Sequence, residues 1–369
     1  MKKLSVALVG CGIGRSHIEE GYIPNADLFD LKVVCDLDAE KSRKIADDFG
    51  IKTTVQSFDA LLDMPDIDVI DICTPPQLHL PMIIKALKAG KHVICEKPLV
   101  GSLAQMDMVI EQEKASVGRL MPIFQYRFGD GVQQAKAIID AGIAGRPYVG
   151  SVETFWRRDA DYYSVPWRGR WATELGGVLM THAIHQHDIF TYLMGDITRV
   201  FGRVATRVND IEVEDCVSAS VELSSGALGS FTATLGSADE ISRIRLAFEN
   251  VTFESDLAPY NPGDRPWKIL PRNERARASI EAVLANWVHI PSRFQTQLLR
   301  FYHSVASQGP LPVSTTDARR ALELVTAFYQ SAWNGNDVTL PISSEHETYH
   351  NWVPAHARTP MEVQNVSHG

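Results

Sequence analysis

Three stretches of the chain carry residues that could do chemistry. In the first, an apolar run at 3–9 meets Gly10-Cys11-Gly12-Ile13-Gly14-Arg15. Gly10 permits a tight turn, and Gly12 lets backbone approach a pyrophosphate. Ile13 and Gly14 then lead into a helix whose free N–H groups would receive that anion. The usual third small residue would fall at Arg15, yet the glycine is Gly14, so the turn reads as one residue tighter than usual. Asp36 closes a second apolar run, 24 residues after Gly12. A carboxylate there can accept from adenosine ribose hydroxyls and repels a 2′-phosphate, which predicts NAD over NADP. In the second stretch, Lys97 follows the apolar run 91–96 and precedes Pro98. A partly desolvated lysine at a strand's carboxyl end can hydrogen-bond a hydroxyl and stabilise a developing alkoxide. In the third, His182, His185 and His187 lie close together. His187 is rotated well away from His182 on a regular helix, and Asp188 is the nearest acid. No Cys or carboxylate completes a zinc pattern, and no metal is expected.

These groups need a scaffold. Runs apolar on both faces at 3–9, 30–36, 68–74, 91–96 and 120–125 read as buried parallel strands. Helices are expected from about Ser16 and at 39–49, 78–89 and 103–116, the last opened by the capping signature Ser102-Leu103-Ala104-Gln105. Pro122 marks an edge strand. The alternation predicts a doubly wound parallel sheet, a Rossmann-type α/β fold. Alternating Val-, Thr- and Phe-rich runs at 146–156, 197–208, 213–223, 226–235, 241–248 and 251–256 predict a second, β-rich part. Ser224-Ser225-Gly226 supplies a hairpin turn within it. Helical patterns fall at 130–141, 177–194, 276–287, 292–307 and 316–333.

The chain has 369 residues, a prior of about two domains. Its formal charge of −9 argues against nucleic acid or an anionic membrane as partner. The five cysteines (11, 35, 73, 95 and 216) give no disulfide framework and predict reduced thiols in a cytoplasmic protein. Lys2-Lys3 and the run after it resemble a signal peptide, but the apolar core is shorter than such a peptide needs.

Three motifs together resemble the Gfo/Idh/MocA family of NAD(P)-dependent oxidoreductases. They are Gly10-Cys11-Gly12 with His17, Glu96-Lys97-Pro98, and Gly176-Gly177-Val178-Leu179-Met180-Thr181-His182-Ala183-Ile184-His185. The resemblance runs from about residue 3 to 341. It implies a Rossmann NAD-binding domain over 1–123, an α/β domain with a large, open, mainly antiparallel sheet over 124–342, and a tail over 343–369. It implies a homodimer or homotetramer, and a secondary alcohol of a sugar, glycoside or cyclitol as substrate. Lys97 and His185 would carry the proton chemistry, with His185 as general base. Many relatives place Asp four residues before this histidine. Here Thr181 stands there, positioned to bond the substrate or His185 on the same helix face. Thr74, Pro75, His79, Glu96, Lys97 and Gln125 would border the cofactor, and His182 and Arg127 the substrate. Lys97–Pro98 is a candidate cis bond.

The segment 156–171 is dense in aromatic and guanidinium groups. Tyr163, Trp167 and Arg168 suit a carbohydrate or cyclic polyol, stacking on C–H faces and donating to oxygens. Two other readings stay open: redox-neutral cleavage of a glycoside by oxidation and elimination, and a non-catalytic NAD-binding sensor. The tail from Ser343, with histidines at 346, 350, 356 and 368, fits no periodic element and is expected to be disordered or to reach a neighbouring subunit.

Overall fold

The structure, a computed structural model, describes residues 2–354 and 357. The first sheet holds β1 (Leu4–Val9), β2 (Phe29–Cys35), β3 (Thr53–Val55), β4 (Val69–Ile72), β5 (His92–Cys95) and β6 (Leu120–Pro122). Its order is β3-β2-β1-β4-β5-β6, parallel throughout, with Pro122 on the edge strand as expected. The order reverses between β1 and β4, so the crevice for a ligand opens at their carboxyl ends. Five of the six β1 residues are buried, as helices cover both faces. Gly10 has φ +98°, and a side chain there would lie 2.7 Å from the Cys73 carbonyl oxygen. Only glycine lets these two strand ends meet.

The second sheet is formed by β7 (Pro147–Arg157), β8 (Ile197–Ala205), β9 (Cys216–Leu223), β10 (Leu228–Thr234), β11 (Gly236–Phe248), β12 (Val251–Glu254), β13 (Lys268–Pro271) and β14 (Val338–Thr339). Only β7 and β10 pair in parallel; the other neighbours are antiparallel. Strands β3, β13 and β14 were not expected; at two to four residues they are too short to show a period. One face of the sheet receives the helix Ile184–Met194. Gly150 and Gly229 admit the Phe190 ring, which would meet a β-carbon at 2.6 and 2.7 Å. The other face is solvated, with Ser218, Ser220, Glu222 and Ser230 exposed along alternate positions.

The chain then returns to the first sheet. In the helix Arg293–Ser307, Gln297 donates to the Pro122 carbonyl and Phe294 lies 4.4 Å from His17. In the helix Thr315–Asn334, Arg319 pairs with Asp107 and Thr315 bonds Glu113. The expectation for the tail is corrected over residues 343–354. Residues 343–354 fold onto their own chain, where Thr348 bonds Gln330 and the fully buried Trp352 donates to the Leu175 carbonyl at 2.9 Å. A buried indole fixes this segment more firmly than its polar composition suggested. The histidines at 356 and 368 lie outside the described residues. Among the described residues no helix is long and apolar enough to cross a membrane.

Candidate active site

The glycine turn is one residue tight, for a visible reason. The helix opens at Gly14, not near Ser16, and continues as one π-turn over Ile18–Tyr22. A β-carbon on Gly14 would touch the Leu8 side chain at 3.0 Å, so Gly14 supplies the close helix–strand packing usually given to the next position. Arg15 turns outward to Glu19 and Asp48. Gly12 faces open space, and its N–H and that of Ile13 bond no acceptor among the described residues. Asp36 accepts from the Cys11 N–H at 2.8 Å and from the Asp38 N–H at 2.9 Å. The turn, its free donors and this acid fit a dinucleotide. Asp36→Ser is expected to lower the preference for NADH over NADPH by at least about tenfold, or ~1.4 kcal/mol. Fluorescence titration of both reduced cofactors measures it.

Two residues expected at the cofactor have other work. His79 is 1% exposed, and its ring spans the Pro98 carbonyl (2.9 Å) and the Thr74 carbonyl (2.8 Å). It therefore ties the loop after β4 to the Lys97–Pro98 turn, which is cis. Glu96 is an ion-pair partner: its Oε1 lies 3.0 Å from His17 Nε2, and its Oε2 accepts the Lys97 N–H. On the other side of the same ring, Nδ1 lies 2.8 Å from Asp71, which also accepts from the Tyr22 hydroxyl. Although burial opposes it, Asp71 holds the imidazole of His17 well above its ordinary pKa. Among the described residues His17, Asp71 and Cys73 are the one group near enough to share a metal. Ring-to-carboxylate hydrogen bonds account for their approach. Thr74 and Pro75 stay half-buried at the crevice; Gln125 is buried, its Oε1 unpartnered.

The catalytic candidates meet where β5 ends against the helix of the third motif. Glu214 receives the N–H groups of Gly177 and Leu179, both at 3.0 Å, and so caps that helix. The first turn, Leu179–Ala183, is a π-helix, and regular α-helix begins at Ile184. Lys97 Nζ donates to the Thr181 carbonyl at 2.7 Å. Burial pulls its pKa down and Arg168 adds to this, against the opposing pull of Glu96. His185 stacks on Tyr126 with ring centres 4.3 Å apart, edge-on to Phe124 at 6.2 Å. Its Nδ1 has no partner. Burial, then Lys97, Arg293 and His182, push its pKa well below the ordinary value.

Thr181 corrects an expectation. Its hydroxyl bonds the Gly177 carbonyl (2.7 Å) and His182 Nδ1 (2.6 Å), with no bond to His185. His182 is packed beneath Trp156 (5.3 Å) and Tyr162 (5.6 Å). His187 lies away from both, between Phe231 and Phe328, where burial lowers it to about 3.

Arg127 is a second correction. It is 3% exposed and gives Nε and Nη2 to Asp188 at 2.6 and 2.5 Å, with Asp317 at 3.1 Å. Its charge is spent inside the protein rather than on a substrate. Arg168 is nearer the cleft. It lies over the rings of Tyr162 (3.9 Å) and Trp167 (4.4 Å) and 3.6 Å from Glu174. Glu174 is a residue the sequence did not single out. It is 1% exposed, raised by burial, and close enough for its charge to act on Lys97. Its signal was an acid inside the apolar stretch Trp171–Leu175. Tyr163 leans the other way, against Gly169 and Ile211.

Residues 4–124 match the profile of the oxidoreductase family with an NAD-binding Rossmann fold, and residues 132–254 match the Gfo/Idh/MocA C-terminal domain. The myo-inositol 2-dehydrogenase of Thermotoga maritima is 28% identical, over 91% of this chain and 98% of its own. The uncharacterized oxidoreductase YrbE of Bacillus subtilis is 26% identical, over 94% and 98%. Among solved structures, the WlbA dehydrogenase of Bordetella pertussis, in complex with NADH and UDP-GlcNAcA, superposes with a TM-score of 0.82. It has 25% identity, over 93% of this chain and all of that one. With two successive family domains matched in order over a parallel dinucleotide sheet and a mixed sheet, this chain belongs to the Gfo/Idh/MocA family of NAD-binding oxidoreductases.

Proposed function

We propose that the protein oxidises a secondary alcohol of a sugar, glycoside or cyclitol, with Lys97 and His185 managing the hydroxyl proton. The observation that carries the reading is the Lys97 Nζ–Thr181 carbonyl bond, which fixes an ammonium at the head of the helix that presents His185. The inositol dehydrogenase among the relatives, and the sugar nucleotide in the WlbA complex, support the substrate class. NAD, when bound, supplies the hydride acceptor; Gly10, Gly12, Ile13, Gly14 and Asp36 would hold it.

The residues of the chain divide the remaining work. Lys97, its Nζ already anchored on one carbonyl, offers its other N–H donors to the substrate hydroxyl and stabilises the developing alkoxide. His185, held neutral by its surroundings, takes the hydroxyl proton. Stacking on Tyr126 sets the plane of its ring. No carboxylate bonds its Nδ1, so it is a base oriented by packing alone.

The test is NADH production from a panel of sugars and inositols. Substituting His185→Ala is expected to lower kcat by ~10²–10⁴, with NADH binding retained. Failure of the whole panel with NADH binding intact overturns the reading.

The pH dependence has a definite sign. The active form needs neutral His185 and protonated Lys97. Because the folded pKa of His185 is depressed, protonation removes the base only below the ordinary value of 6.5. Because that of Lys97 is also depressed, the donor is lost below its ordinary value of 10.5 as pH rises. A kcat/KM profile flat through neutrality is expected, with an acid limb below the first value that vanishes in His185→Ala and an alkaline limb below the second.

A further inference from the structure

One buried imidazole has no part in the proton chemistry above. His17 ends the short helix that opens at the glycine turn, and its side chain is fully buried. Both ring nitrogens face carboxylates from other elements. Nδ1 lies 2.8 Å from Asp71 Oδ2 in β4, and Nε2 lies 3.0 Å from Glu96 Oε1 just past β5. The Tyr22 hydroxyl donates to Asp71 Oδ2 at 2.8 Å. The Cys73 thiol, kept protonated by burial and by Asp71, lies 3.5 Å from Nδ1 and donates to Asp71 Oδ1 at 3.6 Å. From the helix Arg293–Ser307 the ring meets Phe294, 4.4 Å between centres, while Arg293 pairs with Glu20 at 3.1 Å.

Hydrogen counting fixes the charge of the ring. An ionised carboxylate only accepts, so a neutral imidazole would turn one bare nitrogen toward a carboxylate oxygen at 3.0 Å or less. With both nitrogens protonated, charges alternate along Asp71, His17, Glu96 and Lys97. His17, with Lys97, holds Glu96 below its ordinary pKa against burial. Glu96 is thereby spent, Oε1 on His17 and Oε2 on the Lys97 N–H at 3.1 Å. Lys97 Nζ forms no ion pair among the described residues and rests instead on the uncharged Thr181 carbonyl at 2.7 Å. The second carboxylate whose charge reaches it, Glu174, has Arg168 at 3.6 Å. Without the imidazolium, a carboxylate on a residue only 5% exposed would lack its cation. The other cation acting on it is the Lys97 ammonium, next in the chain.

We infer that His17 is a positioning residue for the reaction: its imidazolium occupies Glu96 and so keeps that carboxylate from capturing the Lys97 ammonium, which stays free for the substrate oxygen. The inference rests on the role given to Lys97 above and adds to it a fully buried group that acts through its neighbour. The same contacts pin the helix of the glycine turn to the ends of β4 and β5, so loss of stability alone is no test of it.

His17→Gln, which keeps an amide donor but no charge, tests it in the NADH-loaded protein. Carbon NMR of the lysine Cε follows the ammonium, with Lys97→Met assigning its signal. Losing a cation and freeing a carboxylate both favour the ammonium, so the Lys97 midpoint is expected to rise by ~1 pH unit or more. The alkaline limb of kcat/KM should move up with it, while kcat at neutral pH falls about tenfold or more. Adding Glu96→Gln removes the captor. The midpoint and the limb should then return toward those of the unaltered protein, and kcat should rise above that of the single variant. A merely structural histidine would move Tm but neither midpoint nor limb, and the second substitution would deepen the loss. The inference is overturned if the midpoint stays or falls, or if the double variant is no faster than the single one. Nitrogen NMR of the unaltered protein keeps it refutable should His17→Gln not fold. Both His17 ring nitrogens must be protonated between about pH 6 and 8, and a neutral ring overturns the inference. Turnover is read separately. A midpoint that shifts as stated, with no NADH formed from any sugar or inositol, refutes the dehydrogenase reading and leaves the hold on Lys97 standing.

Discussion

Lys97→Met is expected to lower kcat by ~10²–10⁴ while the dissociation constant for NADH stays unchanged. Methionine keeps the length and apolar stem of lysine, so packing at the cis Lys97–Pro98 turn is preserved. What disappears is the ammonium. The Thr181 carbonyl loses its donor, and the buried carboxylates of Glu96 and Glu174 lose a neighbouring cation. Glu96 keeps His17, which with Lys97 holds its pKa below the ordinary value against burial. The substrate alkoxide has no such second cation, because Arg168 is already shared among Glu174 and two aromatic rings. Arginine should restore only part of the rate, since a planar fork cannot replace a point charge anchored on one carbonyl. Stopped-flow single turnover and NADH fluorescence separate the two effects. A Lys97→Met enzyme that keeps more than about a tenth of the rate, a barrier change under ~1.4 kcal/mol, would remove Lys97 from the chemistry.

The local parts of this site were legible in the sequence. The glycine turn and Asp36 follow apolar runs whose period is visible within ten residues, and Lys97 stands at the end of another. What escaped depends on partners distant in sequence or on backbone that carries no signature. The π-turn at Leu179–Ala183 has no marker in Leu-Met-Thr-His-Ala, and within it the Thr181 hydroxyl bonds Gly177 and His182. Arg127 looked like a substrate ligand because its carboxylates come from residues 188 and 317. The carbonyls that engage His79 belong to Thr74 and Pro98, and a side chain's taste for backbone leaves no trace in residue types. Glu174 was hidden by its neighbours, since an acid among apolar residues reads as a helix-surface charge until the fold buries it. Trp352 was hidden by the polar residues around it, yet it seals the underside of Leu175, whose φ of +67° starts the turn into the catalytic helix.

Asp188→Asn is expected to destabilise the protein by about 3–5 kcal/mol, because it leaves a buried guanidinium with Asp317 as its one remaining carboxylate. At ~2–4 °C per kcal/mol that lowers Tm by about 6–20 °C. The pair is 3% and 1% exposed, its two hydrogen bonds are short and bidentate, and Asp317 stands behind it at 3.1 Å. Asparagine keeps the shape and one acceptor but not the charge that offsets desolvation of Arg127. Replacing both partners, Arg127→Met with Asp188→Leu, should recover much of the loss, since both fully buried charges are then gone and Asp317 keeps Arg320 at 3.8 Å. Activity should not recover with it. Asp188 lies three residues after His185 on the same helix, and Arg127 directly follows Tyr126, the ring stacked on His185. The ion pair therefore locks the segment that carries the stacking ring to the helix that carries the base. Apolar side chains can fill that space without fixing its register. Calorimetric Tm and kcat measured on the single and double variants check both halves. If the double variant regains Tm and full kcat together, the pair is only packing; if it regains Tm while kcat stays low, the pair positions His185.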